Sequence, residues 1–238
     1  MAIINPEIGN REIFDRMIWT PLKIAHPDRH AAISVSPDHR YLQKIKYRDY
    51  EERDVEFYNL ALWDELLKLY RQETGIQVFS PTPYFSEERV IIMEYMPGMD
   101  LDRLLPTDSL SEDDLDGVIE DVGRLVAIKE IEDLKHEDFD LRHLLVNGGL
   151  SVIDLEKSRY GNGGVREENE KLMGLIKKFY DGEDIKIPLQ KGYGSIPKDS
   201  LFGKAVAAVR SKYGKRAEDY LKVRYRGQRQ GELFPDLS

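Results

Sequence analysis

The chain contains no cysteine, so disulfides, thiolate metal sites and thiol nucleophiles are excluded. It contains no apolar run near the roughly 18 residues that a membrane-spanning helix requires. Its first residues, MAIINPEIGNREIFDRMIW, lack the basic flank, long apolar stretch and small-residue cleavage site of a secretory leader. These absences lead to the expectation of a soluble, cytoplasmic protein. There is no internal repeat and no low-complexity linker. Positive charge is also in deficit: the formal net charge is −9, which argues against a protein that coats nucleic acid. One local exception is the basic stretch KYGKRAEDYLKVRYRGQR. It reads either as a solvated helix face or as a contact with an anionic surface, such as phospholipid or a phosphorylated substrate. The final QGELFPDLS reads as a poorly ordered tail.

What is present is 238 residues with a hydrophobic fraction of 41%, enough for a core in one large domain or two small lobes. The early chain reads as strands: LKIA and AAISVS flank a turn at His26-Pro27-Asp28-Arg29, and YLQKIKY follows a turn at Ser36-Pro37-Asp38-His39. From Tyr50 to Arg71 the period becomes helical, through Val55, Leu60, Leu62, Trp63, Leu66, Leu67 and Tyr70, and Gly75 ends that helix. TPYFS and VIIMEYM are the next strands, the second a continuous apolar run of the kind a doubly covered strand shows. A long helix opens at SEDDLDGVIEDVGRLVAIKEI, with Ser111 as N-cap and Asp114 in the capping-box position. From Val165 onwards the chain reads as helix and loop. A strand-rich half with one helix thus precedes a helical half with one small hairpin.

That hairpin is HLLV, turn NGG, strand LSVI, since Asn-Gly readily adopts the positive φ angles of a tight turn. Asp138 lies just before its first strand and Asp154 ends its second, so both carboxylates are expected at the same open end. Two such acids repel unless a cation or a proton lies between them. The arrangement suits a divalent cation and the orientation of a hydroxyl; the alternative is a pair of ordinary loop-end acids. His143 is placed to donate to the loop backbone or to reach the same cation, and His136 reads as a packed structural imidazole. In YLQKIKY, alternation puts Leu42, Lys44 and Lys46 on one face. Lys44 is then either over a bound ligand or solvated at an edge. Glu56 lies on the helix stripe formed with Leu60, Trp63 and Leu67, where an acid needs a partner, and Lys44 is the natural one. In MEYMPGMDL a buried strand breaks into an extended link, as a hinge between lobes does, and Asp100 or Asp102 either faces the crevice or starts the next helix.

Strand Lys, helix Glu, buried strand with hinge, H-x-D loop and strand-ending Asp, in that order, resemble the protein-kinase-like phosphotransferase superfamily over roughly residues 15 to 180. With His136, Asp138 and His143 in an H-x-D-x-x-x-x-H loop and VIDLEK at Asp154, the chain looks most like the lipopolysaccharide core kinases of heptose or Kdo sugars. The resemblance implies an α+β, two-lobed kinase fold. Residues 1–96 would form a lobe of five-stranded antiparallel sheet with one helix, and residues 97–238 a mostly helical lobe. It implies ATP and Mg2+ as cofactors and a sugar or glycolipid hydroxyl as acceptor, with no nucleic acid. A cytoplasmic location, peripheral to the inner membrane, would fit such an acceptor. It implies Asp138 as catalytic base, Lys44 on the phosphates with Glu56 as its ion-pair partner, and Asp154 with His143 as metal ligands. Glu94, Met96 and Asp100 join Lys44 and His143 around the nucleotide. There are departures: LKIAHPDRHAAIS, where a glycine-rich loop belongs, has no glycine, and Glu137 stands where Arg or Gly is usual. No A-P-E-like peptide platform follows Asp154, which favours a small acceptor; Lys157, Arg159 and Arg166 could meet an anionic one. Two other readings remain, a minimal atypical serine protein kinase and an inactive pseudokinase scaffold.

Overall fold

The computed structural model describes residues 2–8, 11–22, 31–46, 53–107, 110–137, 139–160, 163–179 and 182–224. Strands β1 (Ile3–Ile4) and β2 (Thr20–Pro21) flank one helical turn, α1 (Glu12–Asp15), and precede β3 (Ala31–Val35) and β4 (Tyr41–Lys46). Helix α2 (Arg53–Thr74) follows, then β5 (Val78–Phe79), β6 (Pro83–Glu87) and β7 (Val90–Glu94). β8 (Met99–Asp100) leads into α3 (Leu101–Leu104) and the long α4 (Glu112–Ile131). Then come β9 (Leu134–Lys135), β10 (Leu144–Val146), β11 (Leu150–Val152) and β12 (Arg159–Tyr160), followed by α5 (Val165–Ile176), α6 (Gly182–Gly194) and α7 (Phe202–Arg224). The fold is α+β, with an antiparallel sheet first and helices after it.

Among the described residues the first sheet has six strands, in the order β1-β6-β7-β4-β3-β2. The sequence leads to five; the sixth is β1, where Ile3 pairs with Ser86 and Ile4 with Phe85. Two residues carry no alternation to read. β2 lies at Thr20–Pro21, just before the LKIA stretch, and the turn from His26 to Arg29 falls outside the described residues. The hairpin is also larger than expected, because β8 and β5 flank β10 and β11 in a four-stranded sheet. β12 pairs with β9 in a further small ladder that links the chain after Asp154 to the chain before His136.

Local chemistry sets the element ends. Ser111 Oγ accepts from the Asp114 N–H at 3.2 Å and donates to the Asp114 carboxylate at 2.6 Å, an Asp version of the capping box. Gly75, at φ +71°, ends α2 in the left-handed conformation that a side chain disfavours. Helix α2 is buried around most of its circumference, from Phe57 and Tyr58 to Leu66, Leu67 and Tyr70. A single apolar stripe does not account for that burial; the second covering layer is α7. Lys204 pairs with Glu73, Lys212 with Glu65, and the Tyr213 ring meets Phe57 edge-on, so the two helices run antiparallel.

Helices α4 and α6 approach closely through two glycines. A Cβ on Gly192 would overlap the Glu120 carbonyl oxygen, and one on Gly123 would overlap that of Leu189. Replacing a helical glycine by alanine ordinarily stabilises by about 1 kcal/mol. Here Gly192→Ala is expected to destabilise by about 2 kcal/mol; urea unfolding of the two proteins checks the sign.

Candidate active site between the sheet and the hairpin

Strand β4 aims Leu42, Lys44 and Lys46 at α2, and both lysines are buried at 6% exposure. A buried ammonium requires a carboxylate. Glu56, itself 2% exposed, supplies it to both: Lys44 Nζ is 3.2 Å from Oε1 and Lys46 Nζ is 2.7 Å from Oε2. Lys44 Nζ is also 3.2 Å from Asp154 Oδ1, at the end of the hairpin. One ammonium thus joins β4, α2 and the turn after β11. Desolvation pushes the Asp154 carboxyl up, but Lys44 and His143 outweigh it and hold its pKa below the usual carboxylate value. Asp154 is in the left-handed region at φ +61°, a conformation an Asp tolerates and a bulkier residue resists.

The hairpin forms as its sequence requires, with Gly148 at φ +64° in the turn and Leu144 opposite Val152. Its open end brings His143 beside Asp154: the Ile153 N–H donates to the His143 carbonyl at 2.9 Å, and His143 Nε2 is 3.7 Å from Asp154 Oδ2. Asp138, the other carboxylate expected there, lies outside the described residues, as do Arg29 and most of the glycine-free segment. His136 is 1% exposed, its Nε2 is 3.1 Å from the Ile153 carbonyl, and its ring stacks on that of His143. Burial, with the adjacent His143, lowers its pKa to about 4, so the imidazole packs in its neutral form.

A second buried network fixes the loop between β9 and β10. Glu168 of α5 takes the Lys129 ammonium at 2.5 Å and the His136 backbone N–H at 3.0 Å on the same oxygen. Lys129 is fully buried, with Nζ 3.7 Å from the centre of the Phe139 ring, and burial lowers its pKa to about 8 against the pull of Glu168. Glu137, at φ +67°, pairs with Arg159 of β12 at 3.0 Å, bracing the loop from the other side.

These elements enclose a cleft of about 420 Å³, within the range of small-molecule sites. Ile33, Leu42, Leu60, Met93, Leu145 and Ile153 give it apolar walls, and Lys44, Glu56, Glu94, Met96, Asp100, His143 and Asp154 all reach it. Glu94 accepts the Thr82 N–H on its carboxylate at 3.3 Å. Asp100 both lines the cleft and caps α3, accepting the Arg103 N–H at 3.0 Å, whereas Asp102 is exposed on the helix. Lys46, which the same alternation places on the Lys44 face, is given no role by the sequence; it is a second buried cation on Glu56, outside the cleft lining. Among the described residues there is no cluster of three or more metal-ligating side chains.

Residues 84–193 match the lipopolysaccharide kinase (Kdo/WaaP) family. The match spans β7, the H-x-D loop and Asp154, and it supports an ATP-dependent kinase. No curated protein sequence matches the chain. Among solved structures the chain is similar to the ADP/Mg2+-phosphoaspartate complex of Rio2 kinase from Chaetomium thermophilum, at 14% identity and TM-score 0.47, covering 94% of this chain and 74% of that one. It is similar to macrolide 2'-phosphotransferase MphH from Brachybacterium faecium, at 13% identity and TM-score 0.47, covering 91% and 97%. It is also similar to the streptomycin–ATP–APH(2")-IIa ternary complex, at 14% identity and TM-score 0.41, covering 85% and 96%.

Several other basic residues are paired. Arg166 pairs with Glu170, Lys204 with Glu73, and Lys212 with Glu7 and Glu65, while residues 225–238 lie outside the described set. No helix among the described residues is long and apolar enough to cross a membrane.

Removing the Glu168 charge strands a buried ammonium. Glu168→Gln is expected to cost about 3 kcal/mol at pH 7. The loss should shrink by pH 9.5. Lys129 then deprotonates in the folded state while the unfolded chain keeps its proton to about pH 10.4, so stability rises with pH through that window. Denaturant titrations at the two pH values measure this, and a pH-independent cost would contradict the assignment.

Proposed function

We propose that the cleft binds magnesium-ATP and that the chain transfers the terminal phosphoryl group to a hydroxyl of a sugar, of the kind found in a lipopolysaccharide-like glycoconjugate. The observation that carries this reading is Lys44, held at 3.2 Å from both Glu56 and Asp154 at the base of the cleft. An ammonium fixed in this way meets incoming phosphates without first reorganising, which is how phosphoryl transfer is accelerated by positioning and charge. Lys46 shares Glu56 and leaves Lys44 the more available for phosphate.

The apolar walls suit a purine, next to the backbone from Glu94 to Met96, with Asp100 on the wall that the ribose meets. Asp154 offers the hard carboxylate oxygen that Mg2+ prefers, and this cation usually completes its shell with phosphates and water rather than with an all-protein cage. Bound there beside His143, Mg2+ would neutralise charge on the phosphates. Asp138 is assigned the acceptor hydroxyl: it orients the O–H and takes its proton as the phosphoryl group arrives. Helix α5 opens at Val165, soon after the Asp154 turn, which leaves little chain for a peptide platform and favours a small acceptor.

Purified protein given radiolabelled ATP, Mg2+ and a glycolipid acceptor should label the glycan. Lys44→Met and Asp138→Asn should each lower the rate by at least about a hundredfold. Label appearing in protein would favour a serine kinase, and an absence of transfer together with an absence of nucleotide binding would favour a scaffold.

A further inference from the structure

The magnesium-side turn after Asp154 is not held by its own hairpin alone. Asn59 of α2, one turn beyond Glu56, is fully buried and reaches across to it. Its Nδ2 donates to the Leu155 carbonyl at 3.0 Å and to the Ser158 carbonyl at 3.1 Å. Carbonyl oxygens only accept, so these two contacts fix which way the amide faces. Asn59 Oδ1 therefore points to Tyr220 of α7, whose hydroxyl donates to it at 2.7 Å. The Tyr220 ring stacks on Tyr58 of α2 with centroids 5.0 Å apart.

At its other end α7 is anchored in the helical half. The Leu201 N–H donates to Glu132 Oε1 at 2.7 Å, and the Tyr70 hydroxyl of α2 donates to the same oxygen at 2.5 Å. Up to Tyr213 α7 lies antiparallel to α2. At Gly214 (φ +67°, ψ −151°) the helix breaks, and the segment after it carries Tyr220. The two segments form a kinked strut, footed at the end of α4, that ends at the amide holding the Asp154 turn.

We infer that Asn59 and Tyr220 are positioning residues, through which α7 sets the distance between Glu56 and the Asp154 turn and so the geometry of Lys44 between them. This rests on the kinase reading above. Neither side chain is among the residues reaching the cleft, and both act through backbone and helix placement. Losing the Tyr220 hydroxyl takes a donor from Asn59 Oδ1 and loosens the amide's hold on the two carbonyls, while the ring stack keeps α7 in place. Asp154 then samples positions from which it cannot hold both Lys44 and a magnesium ion.

The test compares full-length wild type, Tyr220→Phe, Asn59→Ala and the double variant. Tyr220→Phe should keep its Tm within a few degrees and bind ATP without magnesium as wild type does. Its kcat at saturating magnesium-ATP should fall roughly tenfold. Amide exchange at residues 155–158 should quicken by about tenfold while α4 stays protected. The double variant should be no slower than the worse single, because both lesions break one chain of contacts. Unchanged kcat or unchanged exchange in Tyr220→Phe would overturn the inference, as would a fall in Tm large enough to account for the lost activity. Should Asn59→Ala fail to fold, Tyr220→Phe carries the test alone. An inactive wild type would sink the kinase reading, and the exchange measurement would still accept or reject the strut.

Discussion

Everything in the cleft depends on the Lys44 ammonium finding two carboxylates from two other parts of the chain. Taking a cation out of water costs several kcal/mol even after relaxation, so it is tolerated only where opposite charge and good geometry meet it. Glu56 alone does not complete the balance, because it also serves Lys46 at 2.7 Å. Asp154 supplies the remaining negative charge. The consequence is mechanical as well as electrostatic. β4, α2 and the turn after β11 cannot move apart without stranding at least one buried charge. On the proposed function, the cation that would meet the phosphates is already in place in the resting protein.

The loop that carries the H-x-D motif is held by different means. Glu168 accepts its first backbone N–H, the neutral His136 ring fills the space beneath Ile153, and Glu137 pairs outward with Arg159. Two residues of the region, Glu137 and Asp154, adopt positive φ without being glycine. Such conformations persist where the surroundings over-determine them, and here ion pairs and backbone hydrogen bonds do so on both sides. Rigid support of this kind lets a few side chains hold a geometry that solvent would otherwise blur.

Much of this is legible in the sequence wherever the determinant is local. The Ser111 cap, the Gly75 stop and the Asn147-Gly148 turn each follow from a few adjacent residues. The pairing of Lys44 with Glu56 is legible because strand alternation and helix spacing both leave a charge facing the core. What is not legible is contact between distant segments. Nothing near Ile3–Ile4 announces a sixth strand, and nothing in α7 says that its aromatic residues cover α2 rather than solvent. Arg159 reads as a free basic residue until Glu137 is found beside it. Lys46 is the exception: the period that selects Lys44 also selects it, and only the weight given to one lysine hid the other. Asn59 shows no signal at all, since a polar residue inside a helix reads as surface until the carbonyls it serves are known.

The most direct test of the account is calorimetric titration of ATP into wild type and Glu56→Gln, with and without Mg2+. If Lys44 is pre-placed by Glu56 and Asp154 receives the metal, wild type binds magnesium-ATP more tightly than ATP alone, and Glu56→Gln loses affinity by about tenfold or more. Nucleotide binding indifferent to magnesium and to Glu56, or no binding by the wild type, would contradict it.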